Sequence, residues 1–248
     1  MKKISITLAL AALMALGACS SHYQLTQVSR TRVLIDGHYD RPGSEAEAFL
    51  APYAHKVDSL MSPVVGTAAR YMASHRPESE LSNLLSDILV WGAARMGERA
   101  DFAVYNMGGI RAALAKGQVT IGDVLDVAPF ENKLCVLTLT GDKVTELFTQ
   151  IASVGGEGVS HGVALAISRD GRLLSATVGG QPIDPKRNYR IATLDYLAQG
   201  NDRLVAFKAK SQVVAPQGQD NNVRYIIMDY FRAKGNVDAH TEGRIVIK

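Results

Sequence analysis

The segment Asn106-Met107-Gly108-Gly109-Ile110-Arg111 joins the end of an apolar run to two glycines and an arginine. Glycines let a backbone come close to a ligand, and a guanidinium fixed just beyond them can be aimed at an anion or a sugar hydroxyl. By itself the segment fits equally well a tight turn whose arginine pairs with a surface acid. Other chemistries are poorly provided for. The six histidines, His22, His38, His55, His75, His161 and His240, are scattered. Asp238-Ala239-His240 has a ligand-like spacing without further donors nearby, so a surface histidine is the simpler reading. Neither a nucleophilic triad nor a phosphate-cradling loop of the P-loop pattern is evident.

The N-terminus carries a different kind of signal. Met1-Lys2-Lys3 precedes an apolar run from Ile4 to Leu16, too short to span a bilayer but with the charged start and greasy middle of a secretory leader. The run closes on Leu16-Gly17-Ala18-Cys19-Ser20-Ser21, which resembles the bacterial lipobox. An ordinary cleavage site followed by a chance cysteine is the alternative; four matching positions directly after the apolar run favour the lipoprotein. The expectation is a signal peptide over residues 1–18, lipidation of Cys19 as the first mature residue, and attachment to a membrane through the lipid while the folded part stays in water. Ser20 in place of Asp resembles lipoproteins sorted to the outer membrane, so the expected location is that membrane, on its periplasmic side.

With Cys19 lipidated, Cys135 is the remaining cysteine, which excludes a disulfide framework or a cysteine metal site within one chain. Its setting, Leu134-Cys135-Val136-Leu137, suits a small buried hydrophobe. Loss of Lys2 and Lys3 with the leader takes the 27 basic residues to 25, against 24 acidic ones, so no basic face argues for nucleic acid. About 230 mature residues are enough for one large domain, or one with an attached segment.

Elements that could position the glycine turn follow from periodicity. Residues 19–43 read as a polar tether with a strand-like stretch at Arg32–Asp36. Ser44 and Glu47 have capping-box spacing ahead of Phe49, Leu50, Tyr53, Val57, Leu60 and Met61, although Pro52 should kink this helix or delay its start. A helix over Glu78–Met96 presents Leu81, Leu84, Leu85, Ile88 and Leu89 as one stripe. Strands are expected at Asp101–Asn106, Lys133–Thr140, Asn188–Leu194 and Arg244–Ile247. Helices are expected at Thr120–Val127, from Gly141 with Val144, Leu147, Phe148 and Ile151 inward, and from an Asp220 cap to Gly235 with Val223, Ile226, Ile227, Tyr230 and Phe231. Val163–Ser168 and Arg172–Val178 flank Asp170-Gly171, a pair suited to a type I′ hairpin. Hairpins mixed with helical crossovers imply an α/β protein of the α+β type, a mixed β-sheet covered by helices.

Several segments in order carry a resemblance. Arg76 ahead of Glu78-Ser79-Glu80-Leu81-Ser82-Asn83-Leu84, the glycine turn, Gly122-Asp123, Ala128-Pro129-Phe130-Glu131-Asn132, Thr138-Leu139-Thr140-Gly141 and Ala192-Thr193-Leu194-Asp195-Tyr196-Leu197-Ala198-Gln199-Gly200-Asn201-Asp202 together resemble the C-terminal, substrate-recognition domain of the 5′-nucleotidase and UDP-sugar hydrolase family. The resemblance covers residues 76–248, and residues 44–75 look like the helix-and-strand linker that precedes this domain in two-domain members.

The resemblance implies a 5′-nucleotidase C-terminal-domain-like fold and a set of substrate contacts. Phe130 and Tyr196 match two aromatic residues that stack on both faces of the base; tyrosine in place of the usual phenylalanine keeps the ring and adds a hydroxyl. Asp202 matches the ribose aspartate, Asn106 an asparagine on the base side, and Arg111 and Arg76 arginines that point toward ribose and phosphate. Gly108 and Gly109 form the turn between them. The segment at Asp202 departs from the family pattern, which has two glycines before the aspartate and one after, where this chain has Asn201 and Arg203. Each ring could also be core, and Asp202 a simple turn residue. Hydrolysis in the two-domain members belongs to an N-terminal metallophosphoesterase domain with two metal ions, and no Gly-Asn-His-Asp or Gly-Asn-His-Glu segment occurs here. The expected function is therefore nucleotide or nucleoside recognition in a split 5′-nucleotidase, with no catalytic residue, metal or cofactor in this chain, divalent metals only in a partner metallophosphatase chain, and no nucleic-acid partner. A standalone nucleotide-binding lipoprotein is the alternative, and a drifted domain that only mediates protein contacts is a third.

Overall fold

The computed structural model describes residues 24–34, 37 and 43–248. The leader and Cys19 lie outside the described residues. Residues 24–34 have no regular secondary structure, so the strand expected at Arg32–Asp36 does not form over residues 32–34, and Ile35 and Asp36 are not among the described positions. Arg32, Val33 and Leu34 are exposed, and a lone extended segment gains nothing without a partner edge.

Helix α1 (Ser44–Met61) starts at Ser44 itself, with the Glu47 amide bonded to the Gly43 carbonyl at 3.1 Å. It runs through Pro52 without a break. A helix-internal proline removes one donor from the ladder, and here residues 45–60 are all exposed, so the carbonyl left without that donor can turn to water. The unit from Ala51 to Lys248 holds every strand of the described residues. Strand β1 (Val64–Ala68) follows α1 and lies between two later segments of this unit.

Helix α2 (Glu80–Arg95) is capped by Ser79, whose side chain accepts from the Ser82 amide while the Ser82 hydroxyl accepts in return from the Ser79 amide. Its stripe Leu81, Leu84, Leu85, Ile88 and Leu89 is fully buried. Removing five such side chains from water contributes about 8–15 kcal/mol before entropy is counted. Strand β2 (Phe102–Tyr105) ends in a short 3-10 turn, Met107–Gly109. Strand β3 (Gly117–Thr120) leads into helix α3 (Ile121–Val127), capped by Thr120 with Asp123 answering it. Strand β4 (Leu134–Thr140) is buried at six consecutive positions, Cys135 among them, and burial pushes that thiol up to about 11, which makes it an inert core residue. Helix α4 (Gly141–Ser153) turns Val144, Leu147, Phe148 and Ile151 inward.

Strands β5 (Gly158–Val159), β6 (Val163–Ile167), β7 (Leu173–Val178) and β8 (Gln181–Pro182) come next. The β6–β7 hairpin forms, but its turn is not type I′. The Gly171 amide bonds to the Ser168 carbonyl and the Ser168 amide to the Arg172 carbonyl, while φ is positive at Gly171 and not at Asp170. That is a three-residue loop with a type I turn followed by a left-handed glycine, because only Gly171 can take the positive φ without a Cβ penalty. Strand β9 (Asn188–Leu194), helix α5 (Asp195–Ala198) and strand β10 (Ser211–Val214) precede helix α6 (Val223–Lys234). The α6 cap is Asn222, whose side chain accepts from the Arg224 amide, and Asp220 sits in a 3-10 turn just before it. Gly235 ends the helix at φ +71, and strands β11 (Asn236–Val237) and β12 (Ile245–Ile247) follow.

Among the described residues three sheets result, in the orders β11-β1-β3, β10-β4-β9-β2-β5 and β12-β6-β7-β8. The middle sheet is mixed: β2 runs parallel to β9, and β4 runs antiparallel to it over seven residue pairs from Leu134–Leu194 to Thr140–Asn188. Helices α2 and α4 both pack on β4 and β9. The architecture is the expected α/β type with mixed sheets covered by helices, distributed over three sheets. One close approach shows how tightly the layers meet: a Cβ on Gly141 would lie 1.8 Å from the Asp184 carbonyl oxygen. Gly141→Ala is expected to destabilise the domain by at least about 2 kcal/mol in chemical denaturation, because backbone at 184–185 must move.

Candidate functional site

The β4–β9–β2 ladder brings three loops to one edge. β2 and β9 are parallel, so their C-terminal ends coincide, and the antiparallel β4 begins there; Leu134 faces Leu194, and the Asp195 amide bonds to the Lys133 carbonyl at 2.9 Å. The loop before β4 carries Phe130 and Asn132, the turn after β2 carries Asn106, Gly108 and Gly109, and α5 with the turn after it carries Tyr196 and Asp202. These seven residues line one cleft that is open to solvent. Phe130 is 50% exposed and Tyr196 38%, which excludes the core reading for both rings.

A carboxylate sits at the centre of the hydrogen bonding. Asp202 Oδ1 accepts from the Tyr196 hydroxyl at 2.8 Å and Oδ2 from Asn106 Nδ2 at 2.6 Å. The bond to Asp202 holds the Tyr196 hydroxyl above its ordinary pKa. Asp202 has φ +54 and Arg203 φ +65, left-handed values that cost non-glycine residues about 1–3 kcal/mol and persist where the surroundings over-determine them. Here the Asn201 amide group bonded to the Tyr196 carbonyl, and the Gly200 amide bonded to the Leu197 carbonyl, tie the same turn down.

The two turn glycines have different jobs. A Cβ on Gly109 would lie 2.7 Å from Asn106 Oδ1, so this glycine is a packing requirement that lets buried Asn106 tuck beneath the turn. A Cβ on Gly108 would meet only Asp202 Oδ2, at 4.0 Å, so Gly108 leaves the cleft floor bare. Asn106 Oδ1 itself is buried and has no hydrogen-bond partner among the described residues.

Two sequence candidates stand back from the cleft. Arg111 is exposed and donates to the Gly108 carbonyl at 3.3 Å, so it braces the turn from outside. Arg76 donates to the Gly156 carbonyl at 2.8 Å and pairs with Glu157, whose second carboxylate oxygen accepts from the Met107 amide. Arg76 and the buried Glu157 therefore support the glycine turn from behind. Burial raises the Glu157 pKa, against the lowering influence of the Met107 amide and Arg76.

Sequence reasoning gave no role to two residues that the structure places here. Asn132 lines the cleft two positions beyond Phe130, in the irregular stretch that leads into β4, and its signal was its place at the end of the Ala128-Pro129-Phe130-Glu131-Asn132 motif. Arg224, on the first turn of α6, donates to the Pro129 carbonyl at 2.6 Å, and the Val223 amide bonds to the Asn132 carbonyl at 2.9 Å. The N-terminus of α6 thus staples the Phe130 loop, a contact across 95 residues that no local pattern announces.

The model of the family described as 5′-nucleotidase, C-terminal domain, matches residues 64–209. The chain belongs to that family. Protein UshA of Escherichia coli (strain K12) is 28% identical over 158 residues, which are 62% of this chain and 29% of UshA. The trifunctional nucleotide phosphoesterase protein YfkN of Bacillus subtilis (strain 168) is 28% identical over 242 residues, 89% of this chain and 16% of that protein. The solved 5′-nucleotidase precursor from Thermus thermophilus matches with a TM-score of 0.71 at 29% identity, covering 82% of this chain and 43% of that one. The chain spans less than a third of the length of either curated relative. In this 5′-nucleotidase C-terminal domain the family match begins at the first residue of β1, which is hydrogen-bonded between β3 and β11. Among the described residues no group of three or more His, Cys, Asp or Glu is arranged to hold a metal ion.

Two outcomes follow from this geometry. Arg224→Met should leave the fold intact and speed amide exchange in residues 130–133 at least about fivefold, since a charged hydrogen bond worth about 1.5–3 kcal/mol is lost from the loop. The raised pKa of Glu157 gives its own pH dependence: the folded state holds this proton more tightly than the unfolded chain, so the contribution is favourable below the ordinary glutamate value and is lost as pH rises through the raised one. The denaturation midpoint of the wild type relative to Glu157→Gln should therefore fall as pH climbs across that window.

Proposed function

We propose that this domain recognises the base and ribose of a nucleotide or nucleoside, as the recognition component of a split periplasmic 5′-nucleotidase. The single observation that carries the reading is the convergence of two half-exposed rings, Phe130 and Tyr196, with the Asp202 carboxylate and the Asn106 and Asn132 amides in one cleft. Rings on the walls suit a flat heterocycle of any identity, and a carboxylate accepts from sugar hydroxyls. Arg111, held at the outer side of the glycine turn, would meet the phosphate that such a ligand extends out of the cleft.

In this reading cleavage of the phosphate ester belongs to a separate metallophosphatase chain, which supplies the divalent metals, while this chain holds no cofactor. Cys19 carries the lipid that keeps the domain at the outer membrane, facing the periplasm. The family membership supports a nucleotidase-related role, and the division between two chains is what the phosphate-release experiment tests.

Calorimetry with AMP tests the cleft. The wild type should bind saturably, and Phe130→Ala should weaken binding about 5- to 150-fold, the loss of one stacking wall worth about 1–3 kcal/mol. Undiminished binding by Phe130→Ala would overturn the stacking role. Incubation of the purified chain with manganese or zinc and AMP tests the division of labour: no phosphate release is expected until a metallophosphatase partner is added, and rapid release by the chain alone would refute it.

A further inference from the structure

Tyr196 differs from the phenylalanine expected at its position by one hydroxyl, and that hydroxyl has a definite use. It donates to Asp202 Oδ1 at 2.8 Å, six residues along the chain, while Asn106 Nδ2 donates to Oδ2 at 2.6 Å. Each carboxylate oxygen thus receives one donor from the protein. A carboxylate offers about four lone-pair sites, two on each oxygen. One site per oxygen is left, which is the number a vicinal diol requires when both of its hydroxyls donate.

The backbone under this carboxylate is not one that would hold it in place unaided. Asp202 and Arg203 are consecutive non-glycine residues at φ +54 and +65, and Arg203 stands where the family pattern has a glycine after the aspartate, so this strained turn needs the Asp202 side chain pinned. The two donors arrive from different loops: Asn106 from the turn after β2 and Tyr196 from α5. Of these, Tyr196 also lines the base wall of the cleft. One side chain therefore fixes the distance between the stacking surface and the sugar acceptor.

We propose that the Tyr196 hydroxyl is a positioning group that makes the cleft selective for ribonucleosides, by locking the Asp202 carboxylate with one free acceptor on each oxygen opposite the 2′- and 3′-hydroxyls. This rests on the reading of the cleft as a nucleoside site. A sugar without those hydroxyls leaves two acceptors of a partly buried carboxylate without donors, a mismatch that a site built for hydrogen bonding rejects strongly.

The test compares adenosine with 2′,3′-dideoxyadenosine by calorimetry on the full chain and on Tyr196→Phe, with thermal melts to establish that the variant is folded. The wild type is expected to prefer adenosine at least about tenfold. In Tyr196→Phe, which keeps the ring, that preference should shrink about fivefold or more, wholly through weaker adenosine binding, with the dideoxy compound unchanged. Restoration of wild-type preference is not expected in Tyr196→Ala, which should weaken both ligands. An unchanged preference in Tyr196→Phe, or equal losses for both ligands, would overturn the positioning role. Equal binding of the two ligands by the wild type would also overturn it while leaving the stacking cleft intact, and binding of neither would remove the nucleoside reading together with this one.

Discussion

The seven-pair antiparallel ladder between β4 and β9, continued by the parallel partner β2, is the constraint from which the site follows. Its register sets Leu134 against Leu194, and from that pair the chain leaves in opposite directions into the Phe130 loop and into α5 with Tyr196. A slip of one residue would turn the alternating side chains of β9 to the other face and pull the two rings apart. Burial of β4 and β2 along nearly their whole length makes such a slip costly, so the hydrophobic core sets the spacing of the cleft walls.

Around this frame, polar groups divide between those that touch the cleft and those that hold it. Arg76, Glu157 and the Met107 amide brace the glycine turn from behind, Arg111 braces it from outside, and Arg224 with the Val223 amide fixes the Phe130 loop. The cleft is thereby assembled before any ligand arrives. Preorganisation of this kind spares a ligand the cost of ordering loops, so more of its contact energy is available for affinity. What it demands is local strain at Asp202 and Arg203, offset by hydrogen bonds from Tyr196 and Asn106 and by the turn that contains Gly200.

The tyrosine at 196 and the loss of the glycine after Asp202 are physically linked. With glycine after the aspartate the left-handed turn carries little strain at that position; with Arg203 there, at φ +65, the turn needs an outside tie, and the Tyr196 hydroxyl supplies one. A departure from the family pattern that looks, in sequence, like decay is, in three dimensions, a turn whose carboxylate is tied by Tyr196 and Asn106.

Periodicity and capping chemistry alone determined most elements: the Leu81–Leu89 stripe, the limits of β9, the inward face of α4, the Gly235 stop and the glycine turn all follow from local rules that tertiary packing does not oppose. The order of motifs determined the family and six of the seven cleft residues, since Phe130, Tyr196, Asp202, Asn106, Gly108 and Gly109 each sit in or beside a recognisable turn. The tertiary structure decided what local rules cannot carry. It set the unbroken course of α1 through Pro52, along a stretch exposed from residue 45 to 60, and the hairpin turn at Gly171, which depends on one φ. It removed Arg76 and Arg111 from the cleft, because an arginine's reach allows several partners and only the fold places Glu157 and the Gly108 carbonyl within it. It added Asn132 and Arg224, whose roles arise from contacts between distant segments, and such contacts leave no period in a linear chain for local reasoning to detect.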